Sequence, residues 1–177
     1  MKHALLLFIC SFFLTGSIKA QEPLIPIKYT FQTATDYRQY EQNVLAAIQW
    51  LHTTPRNTKV AKRKQAEEFL LKWIYGTPYL SVVIEPYIMK LSGNNADLVL
   101  SFIFGYTEYK LKNISKSDAL TANIAGIQFL INDYSSNIGS FKKDPAIDKV
   151  IALQSSNQLA DWIKPQLAME NKVQAEF

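Results

Sequence analysis

The sequence predicts an all-α fold, a single-domain bundle of five to six helices with a buried central helix at about 96–112. Three observations carry that expectation. Apolar residues recur at three- and four-residue spacing in long stretches. Those stretches are bounded by helix punctuation, most clearly Gly76 with Pro78 at one end and Asp144–Pro145 at another beginning. The one strand-like run, Val82–Val83–Ile84, has no neighbouring segment that reads as a pairing partner.

The elements follow in order. Residues 21–35 read as an extended arm, because Pro23 and Pro26 remove amide donors and disfavour helix. A helix is expected from Asp36 to His52, capped by Thr35, with Tyr37, Val44, Ile48 and Leu51 on its apolar face. A second runs from Asn57, as its cap, to Tyr75, with Ala66, Phe69, Leu70, Trp73 and Ile74 as its stripe and Gly76 just beyond its end. Tyr79–Ile84 is ambiguous between strand, loop and helix, and a short helix starts at Glu85 or Pro86. Ala96–Lys112 is apolar around nearly its whole circumference, the pattern of a buried helix. Ser115 or Ser117 should cap the next, whose Ala119, Ala122, Ala125 and Gly126 leave room for a neighbouring backbone. Asp144 caps the last helix and Pro145 opens it; Pro165 terminates or kinks it. The helical domain is thus expected over 36–167, with a polar tail at 168–177.

The first twenty residues have the form of a secretory signal peptide. Lys2 supplies the positive start, Ala4–Leu14 the apolar stretch, and Ile18–Lys19–Ala20 a cleavage site, so the protein is expected to be periplasmic or secreted. The apolar stretch is too short to span a bilayer. Cys10 lies within the leader, and Ile9 before it is too large for a lipobox. Removing Lys2 and Lys19 leaves 17 basic residues against 15 acidic ones, a formal charge of +2. That balance gives no argument for nucleic acid as a partner. No later segment reads as a membrane span.

The chemistry-bearing residues are few. Without the leader the chain has no cysteine and one histidine, His52, which reads as a residue of a helix C-terminus, where an imidazolium suits the dipole. No Gly-x-Ser-x-Gly or glycine-rich phosphate loop occurs. No cofactor, metal or catalytic residue is therefore expected. Glu67 and Glu68 stand four residues from Arg63 and Lys64, the spacing of solvated helix ion pairs. Asp97, Glu85 and Glu108 could meet only through tertiary structure. The one real charge cluster is Arg56, Lys59, Lys62, Arg63 and Lys64. Its members Arg56, Lys59, Lys62 and Arg63, together with Trp50, the aromatic furthest from its helix's apolar stripe, form the candidate interaction surface.

The order Ala47–Ile48–Gln49–Trp50–Leu51, Thr53–Thr54–Pro55, Lys62–Arg63–Lys64–Gln65–Ala66, Phe69–Leu70–Leu71–Lys72–Trp73 and Gly76–Thr77–Pro78, with Ala125–Gly126–Ile127 further on, resembles a family of small secreted helical proteins of Bacteroidota-type bacteria. The resemblance implies export across the inner membrane of a Gram-negative cell. It implies no catalytic or binding residue.

The expected function is that of an exported, non-enzymatic protein that binds another envelope or secreted protein, with a homodimer possible. The alternative is a periplasmic carrier of a small apolar or amphipathic ligand, in a pocket lined by Phe102, Phe104, Phe129 or the tyrosines. A carboxylate-based hydrolase ranks third. A binding module calls for an exposed apolar patch, a carrier for a concave apolar pocket, and a hydrolase for two converging acids, one with a raised pKa.

Overall fold

The computed structural model describes residues 25–116 and 118–175, with side chains through Ala168. The expected leader, the first four residues of the expected arm, the expected cap Ser117 and the final two residues lie outside them.

The described residues form eight α-helices and no strand: α1 (Ala34–Gln39), α2 (Glu41–Thr53), α3 (Val60–Gly76), α4 (Pro86–Leu91), α5 (Leu98–Lys112), α6 (Ala119–Ser136), α7 (Pro145–Ser155) and α8 (Leu159–Ala175). A single 3-10 turn, Ile138–Ser140, follows α6.

Two expected helices are each divided. Tyr40 (φ −100°, ψ 3°) separates α1 from α2. Its ring meets Tyr29, Phe31 and Phe69 edge-on, so the break falls where the aromatic cluster draws the side chain out of register. The cap of α1 is Thr33, not Thr35: its hydroxyl accepts from Asp36 N while Asp36 accepts from Thr33 N at 2.8 Å. The last helix is divided at Asn157, which takes φ 58°. There Asn157 N donates to Gln154 O and Gln158 N to Leu153 O, the paired bonds of a Schellman ending. Pro165 does not terminate α8; the backbone continues helical to Ala175, so the expected tail from 168 is helix for most of its length.

Caps elsewhere also differ from expectation. Lys59, in the left-handed region at φ 49°, precedes α3 in place of an Asn57 cap. Asp118 caps α6 by accepting from Thr121 N at 2.8 Å, in place of Ser115. Asp144 does cap α7, with Pro145 at its first position, as expected.

The strongest packing in the fold joins α5 and α6 along their lengths. Leu98 and the run Ser101–Thr107 of α5 are buried. The small residues explain the close approach. A Cβ on Gly126 would lie 2.6 Å from the Phe102 ring, and one on Gly105 would lie 2.5 Å from Phe129 Cβ. α2 packs against α3, α5 and α6 and so is covered on more than one side. Trp73 is fully buried and its Nε1 donates to Tyr37 O at 2.9 Å, tying α3 to α1. Gly76 is the last residue of α3 with no left-handed turn; a side chain there would collide with the Tyr37 hydroxyl. Between α3 and α4 the chain is extended from Leu80 to Glu85, without turn or bend.

Candidate functional site

The structure does not bring the residues of the predicted interaction surface together at the surface: Trp50 and Arg63 are buried, Arg56 and Lys62 are half-buried, and Lys59 is exposed. Trp50 is 2 % exposed, because α2 is packed on several sides and its off-stripe face is also interior. Arg63 is buried as well. Its Nη2 donates to Leu51 O at 3.2 Å and Thr54 O at 2.5 Å, so an arginine of α3 satisfies the C-terminal carbonyls of α2. Its Nη1 lies 3.5 Å from Glu67 Oε1. Burial pushes the Arg63 pKa down, only partly offset by Glu67, and pushes the Glu67 carboxyl up, only partly offset by Arg63. Lys62 is half-buried and Lys59 is exposed.

Arg56, in the connection between α2 and α3, is also turned inward. Its Nε donates to both Asp133 oxygens at 3.1 Å, and its Nη2 to Asp133 Oδ2 at 2.7 Å. Nη1 lies 3.4 Å from Asp97 Oδ2, and the guanidinium sits 4.7 Å from the centre of the Phe141 ring. Ser101 Oγ donates to Asp133 Oδ2 at 2.5 Å, and Asn137 Nδ2 to Asp133 Oδ1 at 3.0 Å. Burial alone would lower the Arg56 pKa; the bonds and charge of Asp133, with Asp97, outweigh it and hold the guanidinium charged. Asp97 and Asp133 thus converge, but on a cation that neutralises them. The arrangement joins the α2–α3 connection, α5 and α6. Among the described residues no group of three or more His, Cys, Asp or Glu side chains is placed to hold a metal ion, and no helix is long and apolar enough to cross a membrane.

His52 lies in the last turn of α2, as expected. Its ring is 4.4 Å from that of Phe129, and its buried Nδ1 has no hydrogen-bond partner. It lines a shallow groove of about 410 Å³ with Glu108, Tyr109, Lys112 and Asn132.

A second concavity lies elsewhere. A cleft of about 530 Å³ runs between α3 and the extended segment that follows it, lined by Leu71, Ile74, Tyr75, Tyr79, Val82 and Ile84 among others. Tyr75 is 84 % exposed at its rim, and Val83 and Ile84 are 46 % and 37 % exposed beside it. Tyr79 is held on one side by its hydroxyl, which donates to Glu41 Oε1 at 2.8 Å. Arg38 lies 4.6 Å from the centre of its ring. Burial, then the bond to Glu41, pushes the Tyr79 phenol up to about 12. The Thr77 hydroxyl is buried beside that phenol and forms no full hydrogen bond. Of the expected carrier lining, Tyr75 and Tyr79 border this cleft, Phe129 borders the groove beside His52, and Phe102 and Phe104 are buried in the core, Phe102 against Gly126 at the α5–α6 crossing.

Sequence reasoning offered the tyrosines only as a group for the carrier pocket and passed over 80–84 as functional positions. The available signal was a β-branched run with no partner, set between Pro78 and Pro86. The chain matches no protein-family profile, no curated protein and no solved structure.

Proposed function

We propose that this chain is an exported, non-enzymatic protein that binds another envelope or secreted protein, and that the cleft between α3 and residues 77–85 is its binding face. The observation that carries the reading is the exposure of Tyr75 and Ile84 in the lining of the cleft, with the exposed Val83 next to Ile84 in the chain. Large apolar side chains grouped at a surface favour a partner that removes them from water, at about 25 cal/mol for each Å² covered. The leader composition supports export, and the resemblance noted above suits a Gram-negative envelope. Concavity of the same cleft supports the second reading, carriage of a small apolar ligand.

Native mass spectrometry of the chain purified from its own host's envelope fraction separates the two readings. A protein complex that is lost in the Tyr75→Asp variant supports partner binding. A co-purifying small apolar mass lost in the same variant supports carriage. A bare monomer, unchanged by Tyr75→Asp, counts against both.

A further inference from the structure

We infer that the occupant of this face is a second copy of the same chain, paired through Leu80–Ile84 as an antiparallel two-stranded ladder across a two-fold axis. The inference rests on the protein-binding reading and names its partner.

From Tyr79 to Ile84 no main-chain N–H or C=O is hydrogen-bonded to any described residue. They have no partner within the fold, and at the exposed residues Ser81, Val83 and Ile84 such groups are a template for another strand. The segment behaves locally as a strand. Leu80 is buried and Val82 half-buried, while Ser81 and Val83 alternate with them at the surface; Ile84, which ends the segment, is exposed as well. Nothing on it discourages pairing: it carries no charge, no proline and no bend between Leu80 and Ile84.

A second copy fits this segment through its symmetry. Pro78 and Pro86 stand four residues to either side of Val82. A two-fold register centred on Val82 sets Leu80 against Ile84 of the second copy, Ser81 against Val83, and Val82 against itself. The two residues without amide donors then face each other beyond the ladder's ends, where neither breaks a bond. Leu80 meets the exposed Ile84 of the second copy, apolar against apolar, and no like charges are opposed. The contact is isologous and closes at two copies. Tyr75, exposed on the adjacent turn of α3, is placed to cover the added strand.

Sedimentation velocity of the full chain, expressed with its own leader and recovered from the envelope fraction, tests the pairing from low to high micromolar concentration. A concentration-dependent dimer is expected. Two double variants on the exposed positions read the register. Ser81→Lys with Val83→Lys opposes like charges across the axis and should weaken self-association about tenfold. Ser81→Glu with Val83→Lys opposes unlike charges and should keep the dimer. A wild-type monomer at all concentrations overturns the inference, as does an equal response of the two doubles. If the wild type is monomeric and yet Tyr75→Asp loses a captured envelope protein, the partner is a different chain and only this inference fails. If neither self-association nor capture is found, the protein-binding reading falls with it.

Discussion

Arg56 grips Asp133 through two adjacent nitrogens, Nε at 3.1 Å and Nη2 at 2.7 Å, across 77 positions of sequence. With their side chains 14 % and 8 % exposed, the two ions are largely withdrawn from water. Their value to the fold therefore depends on each finding the other, since either one left alone would be a poorly solvated charge.

Asp133→Ala tests this. The guanidinium would keep its long contacts to Asp97 and Ser101 Oγ, both 3.4 Å, and the Phe141 ring face, and Asn137 and Ser101 would lose an acceptor. A loss of about 3 kcal/mol is expected, read from the urea unfolding midpoint. A change below about 0.5 kcal/mol would show that solvent already screens the pair.

The crossing of α5 and α6 should tolerate no added methyl at Gly126. Alanine gains about 1 kcal/mol of helix propensity there, but its Cβ would lie 2.6 Å from the Phe102 ring, and overpacking costs about 1–3 kcal/mol. Net destabilisation of about 1 kcal/mol is expected in thermal unfolding. Gly139→Ala serves as the control, because no atom lies within 4 Å of a Cβ at that position.

Tyr87 donates to Asn123 Oδ1 at 2.6 Å in the buried region between α4 and α6. Tyr87→Phe removes the donor and keeps the ring. The amide oxygen would be left unpaired, at a cost of about 1–3 kcal/mol, measured by chemical denaturation. A nearly neutral substitution would mean that water reaches Asn123.

Alkaline pH should act through Tyr79. Its folded pKa of about 12 lies above the usual phenol value of 10.0, with burial the larger cause and the bond to Glu41 the next. A folded pKa raised in this way contributes stability that is complete below pH 10 and is lost as pH rises toward 12. The stability difference between wild type and Tyr79→Phe should accordingly shrink across that window. Denaturant titrations at stepped alkaline pH measure it, and a constant difference would rule out the phenol as a source.

Much of the fold is legible in the sequence, since helix location depends on periodicity and punctuation. The Asp144–Pro145 start and the apolar girth of α5 are examples. The break at Tyr40 is not, because an aromatic cluster acts through tertiary geometry rather than through spacing; the break at Asn157 is local, but a single asparagine at C′ is a weaker signal than glycine. The candidate surface failed for a related reason. A run of Arg and Lys looks the same in sequence whether it faces water or, like Arg63, caps the carbonyls of a neighbouring helix. Trp50 misled in the same way, since one stripe cannot describe a helix with neighbours on several sides. The extended segment was visible as β-branched residues without a mate, but its exposure beside a cleft appears only once α3 is in place.

The tight α5–α6 pair also bears on the order in which the chain acquires structure. These helices are consecutive and joined by a short connection, so their mutual contact needs little chain closure and can form early. The link from Arg56 to Asp133 spans far more sequence and belongs to a later stage. Amides along the buried run Ser101–Thr107 should then exchange with deuterium only when the whole molecule opens, while those of the exposed residues Ser81, Val83 and Ile84, with no internal acceptor, should exchange from the native state.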